Sequence, residues 1–392
     1  MSTPVLDLQA LLDEAQQQTG LSDFGDESFR EPCRRLLQSL NTDAKLNDVG
    51  RFTQHQRILN ILKTRLRFAH YLEQYPQILD EGIEQPVVIV GLPRTGTTLL
   101  QRMLSADPRF YSAQYWETLY PVPFEDIDFS QADDPRIDAG KAHVQIMLDT
   151  VPDLAAIHPL DAEAADEEIT LLEQSFFSTN PEAMANLASF GAWLAAQDQA
   201  PGYRYLKQLL QFLQWQKKQR GQQAQRWVLK SPHHIHCIDT LFQAFPDAQV
   251  VQTHRDPLQT IPSLASFIQH LWQLGSDNVD AQAVGEQWNR KMAAGLNKTL
   301  DYRKTQHGDR FLDVQFRDTV EQPMSVVEAI YDFVGLPLTA DTRKTIEHWL
   351  SQNRRDQRAP HHYTLQQFGL SEAQITEDYR SYRDTYILKE TA

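Results

Sequence analysis

Residues Pro86–Thr98 read PVVIVGLPRTGTT, and their types and spacing suit one kind of chemistry, the binding of a phosphate-like anion. Pro86–Val90 is a short, β-branched apolar run, the pattern of a buried strand. Gly91–Gly96 forms a turn, and Leu99, Leu100, Met103 and Leu104 then recur at helical spacing. Strand, glycine-bearing turn and helix build an anion cradle from backbone amides and the positive end of a helix dipole. Gly91-x4-Gly96-x-Thr98 has the spacing of a Walker loop, with Thr97 where the lysine belongs. A Walker lysine reaches the β/γ-phosphates of a nucleoside triphosphate. Arg94 is the only cation in this turn. The run suits a phosphate without suiting ordinary triphosphate hydrolysis.

A second candidate anion element is Val250–Leu264, VVQTHRDPLQTIPSL. A strand ends near Thr253, Asp256 is a good N-cap, and Pro257 suits the first helical position. Arg255 thus falls at a strand-to-helix junction, and Ser263 lies about two turns into the helix. An arginine and a hydroxyl can share one phosphate. A structural ion pair for Arg255 and a helix-facing hydroxyl for Ser263 form the alternative. A third element, Trp227–His234 (WVLKSPHH), carries Lys230 at a strand end, followed by His233 and His234. His236 and Cys237 extend it, but no second spaced ligand pair accompanies them, so no metal is expected.

These residues must be positioned by an α/β scaffold. Residues 1–85 read as an N-terminal helical extension, with Ile58, Ile61, Leu62 and Leu66 on one face. From Pro86 onwards strand-like runs at 227–229, 249–253 and 311–316 alternate with helical segments at 238–245, 258–274 and 324–334. That alternation predicts a P-loop-like parallel sheet flanked by helices. The stretch from about 133 to 225 reads as a helical insertion able to wall a cleft. Trp272, Trp288 and Tyr302 read as core.

Composition narrows the function classes. The 392 residues can bury one large core or two. Against 37 Lys and Arg stand 52 Asp and Glu, a net charge of -15, which disfavours general nucleic-acid binding. No run approaches the roughly 18 apolar residues of a membrane helix. The acidic N-terminus lacks the basic and apolar regions of a secretory signal. Two cysteines give no disulfide framework, and a cytoplasmic setting is expected.

Taken together, Pro93–Thr98 (PRTGTT) and the Arg255-x7-Ser263 pair resemble the two nucleotide elements of the sulfotransferases. The arginine in the first loop resembles tyrosylprotein sulfotransferases and a large bacterial group. Trp227–His234, Phe316–Leu338 and His362–Leu370 are similar to that bacterial group, so the resemblance covers roughly residues 86–386. It implies that Arg94, Thr95, Gly96, Thr97, Thr98 and Leu99 hold the 5′-phosphosulfate of 3′-phosphoadenosine 5′-phosphosulfate (PAPS). Arg255 and Ser263 then hold its 3′-phosphate. The implied reaction moves a sulfuryl group from PAPS to a hydroxyl or amine of a small-molecule, lipid or glycan acceptor, with no metal. Lys230, by likeness to a lysine of cytosolic sulfotransferases, would touch the sulfonate or leaving oxygen. The cytosolic C-terminal RKGxxGDWK element is absent, and Arg354, Arg355, Arg358, His362 and Tyr363 are local candidates for the far side of the nucleotide.

An acceptor hydroxyl needs a general base. Glu117 ranks first, because a glutamate in nearly this place serves tyrosylprotein sulfotransferases, although ungapped counting puts Tyr115 there. His233 and His234 form a second set, and His158 with Glu167 and Glu168 a third. Capping, backbone bonding or a solvated helix face are the plain alternatives for each. A P-loop kinase and a non-catalytic nucleotide-binding protein remain the competing functions, and a homo-oligomer is left open.

Overall fold

Five strands form one parallel sheet, ordered β2–β3–β1–β4–β5: β1 (Val87–Gly91), β2 (Phe110–Tyr111), β3 (Arg226–Lys230), β4 (Gln249–His254) and β5 (Phe311–Gln315). They belong to a computed structural model that describes residues 4–131, 133–150, 160–353 and 363–388. β1 is apolar throughout and wholly buried, as a central strand covered on both faces must be. Val87 pairs with Val228 on one side and Gln249 on the other. The chain leaves β1 toward β2 and β3, then crosses back to β4 and β5. All the strands are parallel, so their carboxyl ends share one edge. Ligands of open α/β sheets gather at that edge, where the strand order reverses. The two-residue β2 is the strand that hydropathy patterning does not reveal.

Alternate residues of β1 feed two different cores, as the two-residue period of a strand requires. Val88 and Val90 join Leu229, Val250 and a broad helical layer. Val87 and Ile89 join Val228, Val251 and Val314, which pack on Leu100, Met103 and Leu104 of the helix Thr97–Ser105. A third core lies outside the sheet. There α1 (Leu8–Thr19), α2 (Arg30–Thr42) and α3 (Asp48–Gln74) pack on Phe176, Phe177, Phe190 and Leu194. The N-terminal helices therefore rest on the segment between β2 and β3. Arg65 of α3 ties the two together: it donates to the carbonyls of Phe24, Asp26 and Gln174, between the rings of Phe29 and Tyr205.

The helix opening at Thr97 is α4 (Thr97–Ser105), and α5 (Tyr115–Leu119) follows it. Among its described residues the 133–225 stretch holds α6 (Pro135–Thr150), three short helices and α7 (Ala200–Gln219). Its described residues are not all helical. Residues 160–168 run beside α5's entry: Tyr115 N donates to Ala164 O (2.9 Å), Trp116 N to Ala162 O (3.0 Å) and Asp166 N to Ala113 O (2.9 Å). After β4 come α8 (Pro257–Gln273) and α9 (Ala281–Thr305). Among the described residues no helix is long and apolar enough to cross a membrane.

Candidate active site

The carboxyl ends of β1, β3, β4 and β5 deliver Arg94, Lys230, Arg255 and Phe316 to one edge of the sheet. The β1–α4 turn depends on its glycines. Gly96 has φ +83°, and a Cβ there would lie 3.1 Å from the Phe316 ring, so a side chain would meet both strain and a wall. Arg94 itself adopts a left-handed φ of +72°, a conformation that costs a non-glycine residue about 1 kcal/mol or more. No side chain caps α4, so its first amides face the cleft that Gly96, Thr97, Thr98 and Leu99 line. An uncapped N-terminus of this kind suits an anion.

The two anion elements touch each other. Arg94 Nε donates to Ser263 Oγ (3.2 Å), and Arg255 Nη1 donates to the carbonyl of Arg94 (2.9 Å). Arg255 also donates to Gln259 (3.0 Å), and its guanidinium lies 4.1 Å from the centroid of the Phe316 ring. Phe316 thus packs on both Gly96 and Arg255, a role no sequence argument had given it. Its only signal was an aromatic residue directly after a strand. Through its Nε the Arg94 guanidinium reaches Ser263 of α8.

Thr95 braces the turn from within. It is fully buried, and its hydroxyl donates to Leu92 O (2.6 Å) and meets Thr253 Oγ1 (2.6 Å). Its side chain ties the turn to β4 and leaves only its amide for a ligand. Leu99 is half-buried, packing on the core below α4 and also lining the cleft.

Lys230 is buried where β3 ends, and its ammonium donates to Thr98 Oγ1 (3.3 Å) and is paired with Glu167. Glu167 reaches this point because its loop is held from three sides. Gln101 and Arg102 of α4 donate to the carbonyls of Asp166 (2.9 Å) and Ala165 (3.1 Å), and Lys230 N donates to Glu168 Oε2 (2.7 Å).

Glu117, ranked first as the base, stands elsewhere. Its carboxylate takes the Lys217 ammonium at 2.6 and 2.7 Å and caps α5 through the Gln114 amide (2.8 Å). It is 3% exposed and does not line the cleft. The glutamine-x-x-glutamate spacing of a capping box was the signal for this role. His233 lies in the cleft wall with both ring nitrogens engaged, by Thr179 (3.2 and 3.3 Å) and Cys237 (3.5 Å). Burial, with the neighbouring charges of His234, His236 and Lys291, holds its pKa well below the ordinary histidine value. A ring so placed is a poor proton acceptor. His234 and Glu168 are buried against each other at 2.6 Å. Among the described residues no cluster of three or more metal-ligating side chains occurs. Tyr363 packs at the margin of the main core. His158, Arg354, Arg355, Arg358 and His362 lie outside the described residues.

Arg94, Thr97, Thr98, Glu167, His233 and Arg255 line a cavity of about 1580 Å³, while Lys230 and Ser263 stand behind that lining. Leu264, Phe267, Ile268 and Leu271 of α8, with Trp288 and Met292 of α9, give it an apolar wall. Val49 and Phe52 of α3 and Ile146 of α6 form part of its lining and are 64%, 51% and 63% exposed.

Residues 86–341 match the Sulfotransferase family. That match covers well over half of the sequence. The chain belongs to the sulfotransferase family. Two curated relatives are similar to it, the omega-hydroxy-beta-dihydromenaquinone-9 sulfotransferases Stf3 of Mycobacterium bovis and Mycobacterium tuberculosis. Each is 24% identical over 263 residues, which are 64% of this chain and 63% of the relative. The chain thus spans somewhat under two thirds of the length of these curated relatives. Two crystal structures of mycobacterial sulfotransferases share the fold nearly end to end. STF1 of Mycobacterium tuberculosis superposes with a TM-score of 0.83 at 28% identity, covering 97% of this chain and all of that one. STF9 of Mycobacterium avium gives 0.87 at 27% identity, covering 99% and 98%. The fold class expected from the sequence, a parallel α/β sheet flanked by helices, holds in this member of the sulfotransferase family, and the matches place that sheet among P-loop-like sulfotransferases.

Proposed function

We propose that this protein transfers a sulfuryl group from PAPS to a hydroxyl of an amphipathic small-molecule or lipid acceptor. The observation that carries this reading is the convergence of Arg94, Lys230 and Arg255 with the uncapped start of α4 at one sheet edge, in a member of the sulfotransferase family. Amides of Gly96–Leu99 and the hydroxyls of Thr97 and Thr98 suit the 5′-phosphosulfate. Arg255, Ser263 and Arg94, joined by their own contacts, suit the 3′-phosphate. A bis-anionic nucleotide fits this pair of cradles better than a triphosphate, for which Thr97 offers no lysine.

PAPS supplies an SO3 group already joined to a good leaving group, so no metal is needed. A new S–O bond forms to the acceptor oxygen while the S–O bond to the 5′-phosphate breaks. The bonding pair stays on the phosphate oxygen, and the acceptor proton leaves for a base. Lys230, beside Thr98, is placed to stabilise charge at the leaving oxygen. Glu167, paired with Lys230 and lining the cleft, is the carboxylate best placed to take the proton. The apolar wall from α8 and α9 supports an acceptor with an extended apolar body. The lipid-quinone acceptor in the name of the Stf3 relatives is of the same class.

Isothermal titration with adenosine 3′,5′-bisphosphate (PAP) and with ATP, followed by labelled PAPS with a panel of hydroxylated amphiphiles, tests the proposal. Micromolar or tighter PAP binding, weak ATP binding and labelled product are expected. Failure to bind PAP at micromolar concentration overturns it.

A further inference from the structure

Glu168 is 1% exposed and spends both carboxylate oxygens on groups beside the proposed reacting pair. Its Oε2 accepts the amide of Lys230 (2.7 Å) and its Oε1 meets His234 Nε2 (2.6 Å). His234 Nδ1 in turn meets the Tyr203 hydroxyl (2.7 Å), in surroundings as buried as its own. Burial, with the nearby Cys237, Glu168 and Asp239, keeps Tyr203 protonated, and because a carboxylate oxygen can only accept, His234 Nε2 carries a proton toward Glu168.

The strand pattern explains why a carboxylate is used here. Ser231 N turns to Ile89 O of β1, so the Lys230 amide faces the other side. There β2 pairs with β3 only at Arg226 and Trp227 and ends before reaching Lys230. Glu168 takes the donor that β2 leaves unpaired. In doing so it fastens the loop of its own neighbour, Glu167, to the strand end that bears Lys230.

We infer that Glu168 is a positioning residue for sulfuryl transfer: clamped between the Lys230 amide and His234, it sets Glu167 and Lys230 against each other. This rests on the reading of Glu167 and Lys230 as the reacting pair. A displacement of about 1 Å in such a pair costs on the order of a hundredfold in rate.

Glu168→Gln tests it with almost no change of volume. The amide offers one acceptor, which the Lys230 N–H requires, so its NH2 group turns toward His234. The ring must then accept at Nε2 and carry its proton on Nδ1. A neutral acceptor holds the Lys230 N–H more weakly than a carboxylate, so the expected results are loss of the proton on His234 Nε2 in 15N spectra and amide exchange at Lys230 faster by about tenfold. The PAP dissociation constant stays within about twofold, and kcat falls at least about tenfold with little change in acceptor KM. Tyr203→Phe, which spares the clamp, should keep kcat within about twofold. Should Glu168→Gln not fold, Glu168→Asp, one methylene shorter, carries the same expectations for exchange and kcat. Unaltered Lys230 exchange, or a kcat within about twofold of the parent in the folded variant, overturns the inference. Loss belongs instead to the donor reading if the unaltered protein fails to bind PAP, and the exchange measurement still decides the clamp.

Discussion

Arg94 and Arg255 form one unit, because the guanidinium of the second holds the main chain of the first. Removing either side chain disturbs both cradles. Arg94→Ala and Arg255→Ala are each expected to weaken PAP binding by more than about tenfold, since a charge-assisted hydrogen bond contributes ~1.5–3 kcal/mol. Calorimetry checks this, and unchanged affinity in both variants would show that the anion sites are misassigned. These two arginines were legible because each sits in a local pattern, a glycine-bearing turn or a strand followed by Asp-Pro. Glu167 was visible only as one member of an acidic pair, and nothing nearby in sequence says which carboxylate faces Lys230. That choice is made by Gln101, Arg102 and the Lys230 amide, all distant along the chain.

The first-ranked base belongs to α5. Glu117 caps the helix that carries it and pairs with Lys217 of α7. Glu117→Ala strands a buried ammonium, so it should lower stability by about 3 kcal/mol or more in urea unfolding. It should leave kcat of the folded fraction within about twofold. Glu167→Gln should instead lower kcat by about a hundredfold, with a stability loss of its own because the buried Lys230 ammonium keeps an acceptor but loses its counter-charge. Equal kcat losses in the two would return Glu117 to contention. The central strands and the helices after them were readable because each is a continuous apolar run followed by a helical stripe. β2 was not, since two residues carry no period. Residues 160–168 were hidden inside a helical pattern because their extended course is imposed by α4 and α5 rather than by their own composition.

At the scale of the molecule, Asp134 and Asp313 show how carboxylates of an acidic chain tie separate elements together, through Arg220 and His254. Burial raises the pKa of Asp134, but hydrogen bonds and charge from Arg136 and Arg220 outweigh it and hold the carboxyl at about 2. At Asp313 burial is likewise outweighed, by His254 and Arg303, again giving about 2. Both lie below the ordinary value of 3.8, so their stabilisation is complete above that pH and is lost as pH falls toward 2. Acid titration followed by circular dichroism should show unfolding steepening between about pH 4 and 2, less so in Asp134→Asn. An identical acid midpoint in that variant would remove Asp134 from the account. The parallel sheet also has a temporal consequence. β1 can pair only with strands that begin at Arg226 and Gln249, and the cleft is unfinished until Phe316 closes over Gly96. Such distant pairings carry a large loop-closure cost and fold slowly. On a ribosome the PRTGTT turn emerges early and must wait for most of the chain. Competence for the nucleotide is therefore acquired late in the life of each new molecule, and nearly all at once.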